Sequence, residues 1–202
     1  MYKYTTKELV SAKPTVAKYK KIPKNPIIVI ADNIRSLENV GLIFRLCDAL
    51  RVEKLYLCGI TGYPKIENDP RRFALQERAN RMIKRTAIKT IDLIPWEHKD
   101  NTIDIVKELK QKGYQIISIE QTKESVDYTK IDIHFPIALV IGHERDGISD
   151  EVLKESNVIV QIPMYGIGNN LNVATALAIV GYEMIHHLKT AIPTDIHWKD
   201  HT

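Results

Sequence analysis

The sequence predicts an α/β fold with a mostly parallel sheet covered by helices on both faces, and three observations support this. Short apolar runs alternate along the chain with longer segments of helical periodicity. Several runs, such as PIIVIA at 26–31 and IALVIG at 137–142, are apolar almost throughout, which is typical of strands buried on both faces. The 202 residues, 44% of them apolar, suffice for one domain with a sizeable core.

The individual elements follow from the same patterns. Strands are predicted at 26–31, 53–58, 84–88, 114–119, 137–142 and 158–162, and helices near 38–51, 72–82, 102–112, 149–156 and 170–189. One folded domain at 25–190 follows, with a basic N-terminal extension at 1–24 and a tail at 191–202. Open α/β sheets bind ligands beyond the carboxyl ends of their strands, so we expect the chemistry in the loops after Ala31, Ile119, Gly142 and Ile162.

The charge is unevenly distributed, although the net value is only +4. Residues 1–25 hold seven lysines and one glutamate, and residues 65–85 hold seven basic and three acidic residues. Two basic segments on a mildly acidic body are typical of a protein that binds a polyanion, because each neutralised phosphate releases counterions. A solvated surface without a partner is the alternative.

Composition also argues against several classes of protein. There is no run of about 18 apolar residues, and the lysine-rich N-terminus lacks the apolar stretch of a secretory signal. We therefore expect a soluble, cytoplasmic protein with no membrane segment. Cys47 and Cys58 are the only cysteines, and in their apolar surroundings we expect buried free thiols rather than metal ligands or a disulfide.

The first chemically informative segment is NVGLIFR, from Asn39 to Arg45, in the helix predicted after the first strand. Asn39 falls in the opening turn and Arg45 nearly two turns further along, and we expect the two side chains to lie near one another on the helix. Gly41 permits the close approach of another backbone. A polar helix start and a solvent-exposed arginine are the alternative interpretation.

The second segment is LVIGHERDGIS at 139–149, where a buried strand runs into a loop. Gly142 and Gly147 at the two ends of this loop leave backbone amides and carbonyls accessible to a ligand. Glu144 lies between them and is the candidate functional carboxylate, with a solvated turn residue as the alternative.

The third segment is IPMYGIGNNLNVATALAIVGYEMI at 162–185, a loop with two glycines that opens a long helix. Such a loop can fold tightly around a ligand. Its GIGNNL stretch matches two glycines of the dinucleotide-binding G-x-G-x-x-G pattern, but the third position is Leu171. The first strand-to-helix turn, where that pattern belongs, also lacks such glycines, so dinucleotide binding is not predicted.

In this order, the three segments resemble the motifs of the SpoU/TrmH family of RNA ribose 2′-O-methyltransferases, of the SPOUT class. Those motifs read N-x-G-x-x-x-R, a strand ending G-x-E-x-x-G, and I-P-M-x-G-x-x-x-S-L-N-V, and the resemblance covers roughly residues 26–188. It implies methylation of a ribose 2′-hydroxyl in structured RNA, with transfer RNA favoured over ribosomal RNA. It also implies S-adenosyl-L-methionine as methyl donor, no metal, a homodimer and a deep C-terminal trefoil knot.

The resemblance assigns roles residue by residue. Arg45 matches the catalytic arginine, and Asn39, Glu144 and Asn172 complete the catalytic set. The cofactor would be held by residues from strand ends and from the third loop, namely Ile119, Gly142, Ile162, Asn170 and Leu171. Two roles stay open for Arg45. It could act as a general base once a substrate phosphate engages it, or, because a guanidinium stays protonated in proteins, it could clamp that phosphate and stabilise the developing alkoxide.

Two positions depart from the family pattern, with His143 in place of asparagine and Asn170 in place of serine. Asn170 can donate and accept hydrogen bonds, but it is bulkier than serine and has no hydroxyl. A catalytically weak or silent RNA-binding member is therefore the alternative function. A small-molecule α/β enzyme is a second alternative, but it would have no use for the two basic segments.

The predicted RNA-binding residues lie in those basic segments, at Lys18, Lys20, Lys21, Arg71 and Arg72. We expect the N-terminal extension to be an RNA-docking arm outside the folded core. The prolines at 23 and 26, on either side of the boundary with the domain, discourage a helix from continuing into it. The alternative is an amphipathic helix that packs on the body or on a dimer partner, through apolar residues that comprise Tyr2, Tyr4, Leu9, Val10, Val16 and Tyr19.

Overall fold

The computed structural model describes residues 3–191, with side chains to residue 188, and contains a seven-stranded sheet. The strands are β1 (Asn25–Asp32), β2 (Val52–Cys58), β3 (Trp96–Lys99), β4 (Gln115–Ile119), β5 (Val126–Asp127), β6 (Ile137–Ile141) and β7 (Val158–Gln161). The helices are α1 (Thr6–Ser11), α2 (Val16–Lys21), α3 (Leu37–Ala49), α4 (Phe73–Ala87), α5 (Thr102–Gln111), α6 (Asp150–Glu155) and α7 (Val173–Ala191). The predicted tail lies outside the described residues beyond Ala191.

All strand pairs of the sheet are parallel, in the order β3-β2-β1-β6-β4-β7-β5. The central strands alternate their side chains between two cores. Ile27 and Val29 pack with α3, α4 and α7 on one face, whereas Ile28 and Ile30 pack with α5 and α6 on the other. The predicted parallel sheet covered on both faces is therefore confirmed, and its carboxyl edge gathers the loops that carry the polar motifs.

Two details of the predicted elements are wrong. Residues 84–88 were expected to form a strand but mostly belong to α4, because Ala79, Ile83 and Ala87 are buried at helical spacing. The strands β3 and β5 were not predicted, since β3 reads WEHK and β5 has two residues, and neither has an apolar run. Both lie at the edges of the sheet, where pairing needs little burial.

The N-terminal extension forms two short helices, each begun by a threonine cap, and neither contains a buried residue. Tyr4, Leu9, Val10 and Val16 are exposed. These four residues therefore do not pack on the body of the same chain, as the amphipathic alternative required. Tyr19 is half-buried beside Asp48 at the end of α3, and burial together with that carboxylate raises the pKa of its hydroxyl. The extension thus contacts the domain through little apolar surface. Tyr2 lies outside the described residues.

Two expectations from composition can be compared with the described part of the chain. No helix there has the length and apolarity needed to cross a membrane. Cys47 and Cys58 are buried free thiols, as predicted.

Helices α3 and α4 cross at Gly41, and this contact leaves no room for a side chain. A Cβ atom at Gly41 would lie 2.0 Å from Oγ1 of Thr86 and 2.5 Å from the carbonyl oxygen of Ile83. Gly41→Ala is therefore expected to lower the free energy of unfolding by about 1–3 kcal/mol through overpacking. Urea unfolding measures this, with Gly166→Ala as the matched control, since a Cβ there meets nothing within 4 Å. Equal stability of the two variants would contradict the close crossing.

Candidate active site

A pocket of about 280 Å³ lies beyond the carboxyl ends of β4, β6 and β7. Ile119 and Ile141 contribute apolar surface from the strand ends, and Ile162, Leu171 and Ala176 contribute more from the third motif and α7. The pocket therefore lies where the parallel sheet predicts a ligand, with an apolar wall suited to a flat or aliphatic group.

The loop at 163–171 closes one side of this pocket and leaves its backbone free. Among the described residues, no backbone N–H or C=O group of 163–171 takes part in a protein hydrogen bond. Met164, Asn170 and Leu171 from this loop line the pocket, whereas Tyr165 and Ile167 are fully exposed. The free groups around an apolar wall are available to a ligand that carries both polar and apolar parts.

The second motif forms a tight loop at the opposite side of the pocket. His143 and Gly147 exchange both backbone hydrogen bonds, at 3.1 and 3.0 Å, and Gly147 has a φ of +70°. A Cβ at Gly142 would lie 2.5 Å from the backbone of Gly147 and Ile148. The glycines therefore serve the close packing of this loop.

His143 stabilises the same loop with its side chain. The backbone N–H groups of Arg145 and Asp146 donate to Nδ1 of His143, at 3.2 and 3.1 Å. An asparagine carbonyl can bind the backbone two residues ahead in a similar way. The departure from the family pattern at this position therefore conserves the local hydrogen bonding.

Glu144 connects the second motif to the first. Its Oε1 accepts hydrogen bonds from the backbone N–H of Ser36 at 3.0 Å and from Nδ2 of Asn39 at 2.8 Å, and its Oε2 accepts one from Arg35 N–H at 3.0 Å. The alternative of a solvated turn carboxylate is therefore wrong. Burial by itself would raise the pKa of this carboxyl, but the three donated hydrogen bonds stabilise its ionised form more, so its pKa is lowered.

Asn172 joins the third motif to this network. Its Nδ2 donates to Oδ1 of Asn39 at 3.0 Å, and its Oδ1 accepts the backbone N–H of Ala174 at 2.9 Å in the first turn of α7. Asn39, Glu144 and Asn172 are thus one hydrogen-bonded chain, and two of its members line the pocket. The sequence predicted these three residues for one site, and the structure brings them together.

Arg45 is not part of the hydrogen-bonded chain of Asn39, Glu144 and Asn172. The residue is exposed on α3, does not line the pocket, and makes no hydrogen bond or ion pair with any described residue. Six residues of helix at about 100° each place Arg45 roughly 120° around the axis from Asn39. The expectation that the two side chains lie near one another on the helix is therefore wrong, and Arg45 instead offers an unpaired guanidinium to solvent.

The predicted cofactor residues all line the pocket, that is, Ile119, Gly142, Ile162, Asn170 and Leu171. Sequence reasoning missed Glu120, which also lines it and whose Oε2 accepts the backbone N–H of Ile148 at 2.9 Å. Glu120 directly follows the strand end at Ile119, and this position beyond a strand end is the feature of the sequence that could have predicted its place in the pocket. Its contact fixes the far end of the second-motif loop.

The predicted RNA-binding residues fall into two groups. Lys18, Lys20, Lys21 and Arg72 are exposed. Arg71 is not free in this structure, because its guanidinium donates to Asp69 at 2.6 and 2.9 Å and to the carbonyl oxygens of residues 63 and 64. It also stacks on the ring of Tyr63 at 3.5 Å. Arg71 therefore stabilises the loop before α4, a role that its place in a basic segment did not reveal.

The fold and the pocket define an α/β protein with a ligand-sized pocket beyond the carboxyl ends of parallel strands. Residues 26–182 match the model of the SpoU rRNA Methylase family. The tRNA (guanosine(18)-2′-O)-methyltransferase of Aquifex aeolicus is 32% identical over 157 residues, which cover 78% of this chain and 67% of that protein. The protein of the same name from Saccharomyces cerevisiae is 28% identical over 165 residues, or 79% of this chain and 10% of its own length.

Solved structures agree with this match. The A. aeolicus TrmH/SpoU tRNA modifying enzyme superposes with a TM-score of 0.72 and 28% identity, covering 87% of this chain and 83% of that one. The AdoMet-bound rRNA methyltransferase from Sinorhizobium meliloti superposes with a TM-score of 0.64 and 26% identity, covering 84% of this chain and 60% of that one. The chain therefore belongs to the SpoU family of RNA methyltransferases, which confirms the resemblance of its three motifs.

The bonds to Glu144 give a prediction with a defined pH dependence. Glu144→Gln is expected to lower the free energy of unfolding by about 1–3 kcal/mol at pH 7, because backbone donors lose a charged acceptor. Since folding lowers the pKa of Glu144, its contribution is complete above the unfolded value of about 4.3. That contribution is lost as the pH falls through the folded pKa.

Denaturant unfolding of wild type and variant between pH 3 and 7 measures this difference, with the exposed Glu124→Gln as control. A difference that persists unchanged at pH 3 would show that the carboxylate charge is not what stabilises the network.

Proposed function

We propose that this chain transfers a methyl group from S-adenosyl-L-methionine to a ribose 2′-hydroxyl of transfer RNA. The observation that carries the proposal is the hydrogen-bonded chain of Asn39, Glu144 and Asn172, which joins the three motifs of an RNA methyltransferase family at one pocket. Two relatives are named as tRNA (guanosine(18)-2′-O)-methyltransferases, and one of them is 32% identical. Both support a tRNA ribose rather than ribosomal RNA.

The pocket fits S-adenosyl-L-methionine by the chemistry of its lining. The cofactor has a flat adenine and a polar amino-acid end, and the pocket offers an apolar wall together with the unpaired backbone groups of 163–171. Ile119, Gly142, Ile162, Asn170 and Leu171 would hold it, largely through backbone groups. A related chain of 26% identity is described as AdoMet-bound. When bound, the cofactor would supply the methyl group from its sulfonium, with S-adenosyl-L-homocysteine as the leaving group. The protein would orient the acceptor oxygen, whose proton leaves to water or another acceptor.

Arg45 serves the RNA rather than the cofactor in this proposal. Its guanidinium is exposed and unpaired among the described residues and lies outside the pocket lining, so it is available to a phosphate. Because a guanidinium stays protonated, we assign it the clamp of the phosphate beside the target ribose and the stabilisation of the developing alkoxide. Asn39, Glu144 and Asn172 position the start of α3 and of α7 around the reacting groups.

We further propose a homodimer that buries the exposed side of α7, where Tyr182 is 55% exposed, a C-terminal trefoil knot, and a cytoplasmic location. The alternative of a catalytically silent RNA-binding member is not favoured, since relatives along most of the chain are named as enzymes. Asn170, which raised that alternative, is exposed and makes no hydrogen bond with described residues, so it is free to bind a ligand.

The proposal is tested with purified protein, unmodified tRNA transcripts and S-adenosyl-L-methionine labelled on its methyl group. Wild type is expected to place label at a ribose 2′-oxygen, and Arg45→Ala to lower transfer at least 100-fold, as removal of one oxyanion-stabilising donor does. Calorimetry should show AdoMet affinity within a few-fold of wild type, because Arg45 lies outside the pocket lining. Lys107→Ala on α5 is the matched control. Label on a base, or retained transfer by Arg45→Ala, would contradict the proposed reaction or the assigned role.

The three exposed lysines of α2 give a separate prediction about RNA docking. Replacing Lys18, Lys20 and Lys21 by Gln should weaken tRNA binding, and should lower the slope of log affinity against log salt by about 0.7–0.9 per lost phosphate contact. The melting temperature should barely change, because α2 has no buried residue. The control replaces Lys107, Lys112 and Lys154 on the other face of the sheet. An unchanged slope with a much lower melting temperature would favour the amphipathic alternative.

A further inference from the structure

Helix α4 carries a row of arginines on the side that faces away from the sheet. Its buried side is formed by Gln76, Ala79, Ile83 and Ala87. At about 100° per residue, Arg78, Arg81 and Arg85 lie within roughly 60° of one another on the opposite side, spread over about 10 Å of helix axis. We call these three residues the arginine row.

The arginine row is poorly compensated by acidic groups. Arg78 and Arg81 are exposed and make no ion pair or hydrogen bond with any described residue. Arg85 pairs with Glu38 at 2.7 Å, with the two side chains 67% and 40% exposed. Like charges at i, i+3 and i+7 repel and slightly destabilise a helix. An uncompensated row of this kind is expected where a polyanion neutralises it.

The helices on the other face of the sheet differ in this respect. On α5 and α6, Lys110 pairs with Glu155 at 3.0 Å and Lys112 with Glu108 at 2.5 Å. Lys107 and Lys154 on these helices are exposed and have no ion pair among the described residues, but α4 differs in carrying three arginines along one side of a single helix.

The row leads to the candidate active site. Arg85 contacts Glu38 in the first turn of α3, and the neighbouring Thr86 donates to the Glu38 carbonyl at 3.0 Å. Residues 35, 36 and 39, on either side of Glu38, are the donors that bind Glu144 at the edge of the pocket. The side chain of Arg35 is exposed and unpaired among the described residues, and its backbone N–H binds Glu144, which lines the pocket, so a further cation lies between the row and the pocket.

We propose that the arginine row and Arg35 form a track that binds successive phosphates of the substrate RNA and leads the strand to the pocket. The inference rests on the proposed function and adds the path of the substrate. Guanidinium groups suit this role because their planar donors bind phosphate oxygens bidentately. In the free protein Glu38 occupies Arg85 through their ion pair. When the RNA strand binds, one of its phosphates replaces the Glu38 carboxylate on Arg85.

The first test removes charge from the row. The double variant Arg78→Gln and Arg81→Gln keeps side chains of good helix propensity, and the control Lys107→Gln and Lys154→Gln removes the same charge from α5 and α6. With unmodified tRNA as the probe, the row variant should lower the slope of log affinity against log salt by about 1.4–1.8. The control should change it much less. The KM for tRNA should rise with the row variant, whereas AdoMet affinity measured without RNA stays constant.

The second test strengthens binding, which a damaged fold does not do. Glu38→Gln frees Arg85 and removes a negative charge beside the track, while an amide oxygen still accepts from the Ser36 hydroxyl, 3.3 Å from the carboxylate. Tighter tRNA binding is expected, with a salt slope steeper by about 0.7–0.9 for the one added phosphate contact.

The outcomes separate this inference from the proposed function. If the row variant behaves like its control, or if Glu38→Gln leaves tRNA affinity unchanged, the track is wrong even when wild type methylates tRNA. If wild type binds S-adenosyl-L-methionine but shows no salt-dependent affinity for tRNA, the proposed substrate fails together with the track.

Discussion

The carboxylate of Glu144 is the group on which the arrangement of the site depends. It accepts hydrogen bonds from Arg35, Ser36 and Asn39, and Asn39 in turn accepts one from Asn172. Segments separated by more than 100 residues of sequence are thereby fixed at the edge of one pocket. A charged acceptor with several N–H donors is stronger than a neutral one, and these hydrogen bonds lower the pKa of Glu144 despite its burial.

The two sides of the pocket combine rigidity with free polar groups. The second-motif loop is closed by paired backbone bonds and by Glu120, so its hydrogen-bonding capacity is largely used within the protein. The loop at 163–171 is the opposite case, since its described backbone groups have no protein partner. Together they provide one wall held by internal hydrogen bonds and one whose backbone groups are unpaired. Such a division suits a methyl donor that must be held firmly while its reacting group stays accessible to a large RNA.

The pattern of residues along the chain was enough to predict the class of the fold, the three motifs and several residues of the pocket lining. Apolar runs identify buried strands, because a parallel sheet covered on both faces excludes polar residues from its centre. The carboxyl ends of those strands meet at one edge, so Ile119, Gly142 and Ile162 could be placed at one site without coordinates. Edge strands and helix ends were less predictable, as the WEHK strand at 96–99 and the strand expected at 84–88 show, because neither depends on an apolar run.

The contacts of each polar side chain could be established only from the folded chain. Arg71 and Arg72 are adjacent basic residues of one segment. The guanidinium of Arg71 donates its hydrogen bonds to Asp69 and to backbone carbonyls, whereas Arg72 is exposed. Asn39 and Arg45 share a motif but face different ways. The physical reason is that a hydrogen bond or an ion pair depends on distances of about 3 Å between atoms that are remote in sequence. The pattern of residue types along the chain fixes burial, but it does not fix those distances.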